Sequence, residues 1–178
     1  CIRDRTRYAS PLGTIFLAAD NGALAGLWLE GQKYFAATLD AQHEETMLPI
    51  FEQTRRWLDN YFGGNDPGPT PPLHLQGSPF RLAVWEILRQ IPFGKTITYG
   101  EIAREIARRQ GSKTVPAQAV GGAVGHNPVS IIVPCHRVVG SNGSLTGYAG
   151  GIERKVRLLA LEKADMTGLF APQKGTAL

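Results

Sequence analysis

Of the two cysteines in this chain, Cys135 has neighbours that could give it chemistry, in the run Pro134-Cys135-His136-Arg137-Val138. An ordinary thiol ionises near pH 8.5, so about 3% is thiolate at pH 7, and a nucleophilic role needs an adjacent base or a positive environment. His136 is the adjacent residue that could be that base. Adjacency alone does not bring an imidazole onto a thiol. In an extended segment successive side chains point to opposite faces, although a bridging water can span the gap. For a bare Cys-His pair, a buried inert cysteine beside a solvent-facing histidine is the commoner arrangement. The surrounding elements have to decide.

Those elements belong to a chain of 178 residues, 43% hydrophobic and 19% charged, which is ordinary globular composition for one or two domains. No apolar run approaches the roughly 20 residues of a membrane span, and no basic segment followed by an apolar one opens the sequence. The two cysteines are far apart, which argues against a disulfide framework and for a reducing, cytoplasmic setting. A net charge of +4 and a pI near 9.3 suit a polyanionic partner without requiring one.

Thr14–Ala19 and Ala23–Leu29 read as strands joined at Asp20-Asn21-Gly22, because Asn-Gly between apolar runs is a hairpin signal. Met47, Phe51, Leu58, Tyr61 and Phe62 recur at roughly helical spacing and predict a helix from about Glu44 to Phe62, stopped by Gly63-Gly64. The Pro/Gly-rich stretch from Asn65 to Pro72 breaks regular structure and places a domain boundary. After it, Ser78-Pro79 opens a helix with Phe80, Val84, Ile87, Leu88 and Ile91 on one face. Thr98 and Glu101 have capping-box spacing for a second helix from Tyr99 to about Arg109, broken by Gly111. A third helix is expected from Val115 or Pro116 to Gly125, ended by Asn127-Pro128. It is rich in Ala117, Ala119, Gly121, Gly122, Ala123 and Gly125, although glycine disfavours helix. Such a surface either packs closely on another helix or enters a groove. The second and third helices resemble a helix-turn-helix. Ile152, Val156 and Leu159 mark a last helix within Ile152 to Lys163, and the residues after Met166 read as loosely held.

The string Asn127-Pro128-Val129-Ser130-Ile131-Ile132-Val133-Pro134-Cys135-His136-Arg137-Val138-Val139-Gly140, continued by Gly143 and Gly147-Tyr148-Ala149-Gly150-Gly151, closely resembles the active-site segment of the O6-alkylguanine-DNA alkyltransferases. The resemblance runs from about Gly77 to Glu162, and the N-terminal part agrees in general layout. It implies an α+β chain of two domains: a small ribonuclease-H-like α/β domain over residues 1–66, a linker 67–76, a mostly helical winged-helix-like domain 77–165, and a tail 166–178. It further implies stoichiometric repair of DNA, in which Cys135 takes an alkyl group from guanine O6, or from thymine O4, and keeps it as a thioether. His136 would deprotonate the thiol through a water and Glu162 would orient His136. Asn127 would be a hinge between the third helix and an active-site strand. Tyr99 and the backbone at Cys135, Val138 and Ala149 would contact a guanine flipped out of the duplex. Ala117, Gln118, Ala119, Gly121, Gly122 and Arg137 would meet double-stranded DNA in the minor groove.

The match departs at Gln118, where the family often has an arginine to fill the hole left by the extruded base. The turn through Arg108-Arg109-Gln110-Gly111-Ser112-Lys113 is also longer than the family pattern and adds positive charge that could grip phosphate. Some members hold a structural zinc, which needs about four ligands. Cys1, His43 and His74 are too scattered, so no metal or other cofactor is expected, and the chain is expected to act as a monomer. Two alternatives stay open on the residues: a DNA-binding protein, alkyltransferase-like or regulatory, that transfers nothing, and an unrelated cysteine hydrolase, which would turn over.

Overall fold

The structure, a computed structural model, describes residues 2–172. The chain divides into two contact units, Cys1–Gln76 with Pro128–Ile132 and Gly77–Asn127 with Val133–Leu178.

In the first unit four strands form one sheet: β1 (Ile2–Ser10), β2 (Gly13–Asp20), β3 (Ala23–Leu29) and β4 (Leu39–Glu45), in the order β3-β2-β1-β4. β1, β2 and β3 are antiparallel neighbours, and β4 lies parallel to β1. The β2–β3 turn is the expected two-residue hairpin, with φ 49° at Asn21 and 76° at Gly22, the left-handed pair that Asn-Gly tolerates best. Helix α1 (Pro49–Phe62) buries Ile50, Phe51, Trp57, Leu58 and Tyr61. It starts later than the spacing predicts. Glu44 and Glu45 pair with β1, and Pro49 fits the first helical turn, where its missing N–H costs no bond. Met47, assigned above to the apolar face, is 64% exposed.

The expected linker is partly a sheet edge. Leu24 N donates to Pro72 O and His74 N to Leu24 O, so Leu73 bridges to β3 in parallel. Further along the same edge Val129 bridges to Leu27. Both short segments satisfy main-chain groups that an open edge would leave unpaired. The contact boundary accordingly falls after Gln76.

The second unit is mostly helical: α2 (Pro79–Arg89), α3 (Tyr99–Gln110), α4 (Ala117–Gly125) and α5 (Ile152–Leu161), with a two-residue parallel pair β5 (Ile97–Thr98) and β6 (Val138–Val139). Ser78 caps α2 through Arg81 N, and Thr98 and Glu101 form a reciprocal capping box on α3, which Gly111 closes at φ 64°. Trp85 Nε1 donates to Ala123 O at 2.8 Å and ties α2 to α4. Residues 166–170 are better held than their composition suggests. Met166 and Leu169 pack on Val139, Leu145 and Leu159, while Phe170 N bonds to Gly143 O and Leu145 N to Phe170 O. Residues 173–178 lie outside the described ones. No helix among the described residues is long and apolar enough to cross a membrane.

Candidate active site

The site is built where α4 ends. Asn127 is buried just past the helix, and its Nδ2 donates to Val133 O at 2.7 Å and to Cys135 Sγ at 3.1 Å. Between them Pro134, at φ −81° and ψ 64°, makes an inverse γ-turn, closed by Cys135 N to Val133 O at 2.8 Å. Proline's restricted φ suits that turn. Cys135–Arg137 then forms one turn of 3₁₀-helix, not the active-site strand the resemblance implied. In such a turn neighbouring side chains splay by about 120°, not to opposite faces as in a strand.

Cys135 is 3% exposed. Burial pushes its thiol pKa up, while the Asn127 amide, the Lys155 charge and the N–H groups of Cys135 and His136 pull it down without cancelling the rise. The resting sulfur is a thiol with thiolate stabilisers already in place. Deprotonation needs a base.

His136 and Glu162 are both buried, with Nε2 and Oε1 2.6 Å apart. Glu162 caps the end of α5 and also accepts Gly94 N at 3.0 Å and the Arg137 guanidinium at 2.8 and 3.0 Å. Burial alone would raise the Glu162 carboxyl, but His136 and Arg137 hold it well below the usual carboxylate range. An ionised carboxylate only accepts, so His136 Nε2 carries the hydrogen. Burial pushes the imidazole pKa down against the pull of Glu162, which leaves the ring neutral and able to take a proton. Gly94 is required where the chain passes this cluster: at φ 73°, a Cβ would lie 2.8 Å from Glu162 O.

Arg137, expected at the DNA, lies inside the protein. It is 8% exposed, its Nη1 donates to Ile91 O at 2.6 Å and its other nitrogens grip Glu162. Lys155 was not singled out from the sequence, yet it is fully buried, with Nζ donating to Val138 O and, at 3.0 Å, to Thr146 O. Burial lowers its pKa to about 8, partly offset by Cys135. The missed signal was a lysine at i+3 from Ile152 and i−4 from Leu159, inside the apolar stripe.

Tyr99 opens α3 beside this cluster. It is 8% exposed, its hydroxyl donates to Thr146 O at 3.3 Å, and burial with the nearby Cys135 charge raises its pKa. Gly147, at φ 81°, lets the loop pass it, since a Cβ there would come within 2.3 Å of the Tyr99 oxygen. Tyr148, also missed, is buried with its ring edge-on to His136 at 6.3 Å. Val138 is buried and Ala149 half-buried in the same stretch of chain.

On α4, Ala117, Gln118, Ala119 and Gly122 are exposed, and a Cβ on Gly122 would meet nothing within 4 Å. Close helix packing therefore does not explain that face. Gly121, grouped with it above, is buried instead, because it sits three residues from Val124 on the inward side. Arg108 and Arg109, expected to be available to phosphate, both bond to Glu105. Among the described residues no group of three or more His, Cys, Asp or Glu could hold a metal ion. His74 pairs with Asp20, while Cys1 and the His43 side chain lie outside the described ones.

A buried thiol next to a carboxylate-oriented imidazole, beside a helix with an exposed face of small residues, defines a protein built to make its own cysteine a nucleophile. Comparison with known proteins agrees. Residues 79–164 match the 6-O-methylguanine DNA methyltransferase DNA-binding domain, and residues 5–73 match the ribonuclease-like domain of the same proteins. The methylated-DNA--protein-cysteine methyltransferase of Haemophilus influenzae is 40% identical over 89% of this chain and 85% of its own length. The inducible Bacillus subtilis protein of that name is 38% identical over 90% and 84%. The crystal structure of Mycobacterium tuberculosis OGT in complex with DNA superposes with a TM-score of 0.77 at 38% identity, covering 94% of this chain and 99% of that one. The chain belongs to the 6-O-methylguanine DNA methyltransferase family.

Proposed function

We propose that this protein repairs DNA by moving the alkyl group of an O6-alkylguanine onto Cys135, once per molecule. The carrying observation is the line of groups around the sulfur: Asn127 on Sγ, and His136 fixed by Glu162. His136 gives Nε2 to the carboxylate, so the proton leaving the thiol arrives at Nδ1 through a bridging water. The growing imidazolium is stabilised by Glu162, and the thiolate by Asn127, two backbone N–H groups and Lys155. Sγ then attacks the alkyl carbon, the C–O6 bond breaks with its electron pair passing to the guanine as an O6/N1 anion, and uptake of one proton at N1, balancing the one that left the thiol, restores the neutral keto base. The thioether is stable, so no step returns the cysteine.

The alkyl carbon of a stacked guanine is out of reach, and the base has to be extruded at a cost of a few kcal/mol. The exposed small residues Ala117, Ala119 and Gly122 support entry of α4 into a minor groove about 6 Å wide, where the exposed Gln118 would fill the vacated stack. Tyr99 would contact the extruded guanine together with main chain at Cys135, Val138 and Ala149. In this reading the protein acts as a monomer on chromosomal DNA inside the cell.

Mixing the protein with duplex carrying a labelled O6-methylguanine, then mapping the label by mass spectrometry, tests the reading. One label per protein, on Cys135, is expected. Many turnovers, or label on another residue, would overturn it.

A further inference from the structure

The main chain leading to Cys135 contains a second, more costly turn. Ile132 N donates back to Ser130 O at 2.8 Å around Ile131, whose φ is 70°. This is a γ-turn of the rare positive-φ form, and for a β-branched residue a true outlier. Such a conformation persists only where the surroundings leave the chain no alternative.

The alternative is evident one step earlier. Leu27 N donates to Pro128 O and Ser130 N to Leu27 O, both at 2.9 Å, so Pro128–Ser130 runs as a parallel ladder on β3. The next rung would join Leu29 N to Ser130 O. It does not form, because Gln32 Oε1 takes Leu29 N at 2.8 Å, and Ser130 O is left to accept Ile132 N. Gln32 is 6% exposed, and its Oε1 also accepts the Ser130 hydroxyl at 3.3 Å. Only Val133 and Pro134 separate Ile132 from Cys135.

We infer that Gln32 is a positioning residue for Cys135: by occupying Leu29 N–H it ends the parallel pairing at Ser130, turns the chain at Ile131 and so fixes where Val133 and Pro134 deliver the thiol. The inference rests on the repair reading for its main assay. It gives a side chain of the N-terminal unit a part in the chemistry.

Gln32→Met keeps length and apolar contact but removes the acceptor, whereas Gln32→Glu keeps an acceptor oxygen. In the full chain, Gln32→Met is expected to lower the single-turnover transfer rate at saturating duplex about tenfold, within the range that small misplacements of reacting groups cost. Affinity for undamaged duplex should stay unchanged, and Gln32→Glu should recover to within about threefold of wild type. The pH profile of Cys135 alkylation by iodoacetamide, read without DNA, should shift in Gln32→Met and return in Gln32→Glu. A wild-type rate and profile in Gln32→Met, or equal losses in both variants, would overturn the assignment. Should Gln32→Met not fold, Ser130→Ala carries the test, with about a threefold slowing expected and an unchanged rate counting against it. A wild-type protein that transfers nothing would sink the repair reading instead, and the iodoacetamide profile would still judge Gln32.

Discussion

Two carboxylates of the C-terminal unit each accept hydrogen bonds from two basic side chains, Arg108 and Arg109 at Glu105 and His136 and Arg137 at Glu162, and differ mainly in burial. Glu105 on α3 accepts Arg108 at 2.8 and 2.9 Å and Arg109 at 2.6 Å at the surface, with its side chain 30% exposed. Glu162 at the end of α5 accepts His136 and Arg137 with no exposed surface on its side chain. Both are more acidic than an ordinary glutamate, Glu105 because hydrogen bonds from Arg108 and Arg109 draw it down to about 2. The shared direction of shift hides a difference in consequence. Exposed partners that lose each other are taken up by water, so such pairs contribute little. Buried partners have no substitute, so losing one strands the rest. Burial, and not the strength of the pairing, separates a site from a surface.

The largest effect should follow Glu162→Gln. The amide keeps the shape but leaves Arg137 uncompensated and removes the anion that stabilises a protonated His136. Single-turnover transfer should fall about ten- to a hundredfold, the range commonly lost when a group that orients a site residue is mutated. Chemical denaturation should show a loss of about 3–5 kcal/mol. A variant with wild-type rate and stability would erase the distinction between the two carboxylates.

Arg137→Met sharpens it from the cation's side. Removing the guanidinium takes away two of the hydrogen bonds that the buried Glu162 carboxylate accepts, and about 3 kcal/mol of stability should be lost. Because Arg137 is interior, affinity for undamaged duplex should be unchanged once the variant is folded. Weaker binding with normal stability would return Arg137 to the DNA surface.

Much of this was legible in the sequence where local chemistry dictates structure. Asn21-Gly22, Ser78-Pro79 and the Thr98–Glu101 box placed a hairpin and two helix starts because each acts through its immediate neighbours. The string around Cys135 carried Asn127, His136 and Glu162 to one place. Arg137 and Lys155 were misjudged or missed because charge in a sequence reads as surface, and their burial depends on partners such as Ile91, Glu162 and Thr146 that are remote in the chain or across a turn. The start of α1 was misread since helical spacing cannot see that Glu45 pairs with Arg5.

Lys155 gives the comparison a pH dependence. Its pKa, about 8 in the fold, lies below the ordinary lysine value of about 10.4, so between them the unfolded chain binds more protons than the native one. Stability from this group therefore rises with pH across that window. Cys135, shifted upward by burial, contributes with the opposite sign, so the test belongs in a Cys135→Ser background. There, denaturation from pH 7.5 to 9.5 should show stability rising, and adding Lys155→Met should flatten the rise. Equal slopes would mean Lys155 reaches solvent.

Gln118→Arg asks the same question of the exposed face of α4. A guanidinium there brings charge to the phosphates and a flat surface to the vacated stack. Transfer on duplex should quicken several-fold, with stability unchanged because the side chain is exposed. An unchanged rate would mean the glutamine already fills the stack.

The smallest effect should be at Glu105. Glu105→Gln dissolves its pairing with Arg108 and Arg109, yet all three groups remain hydrated, so melting temperature and transfer rate should match wild type. Only duplex affinity at low salt should move, by about twofold toward tighter binding. Two arginines then face the phosphates without a competing carboxylate, and the gain should vanish as salt screens it. A clear drop in melting temperature would show that pairing rather than burial sets what a carboxylate is worth, and the contrast with Glu162 would fail.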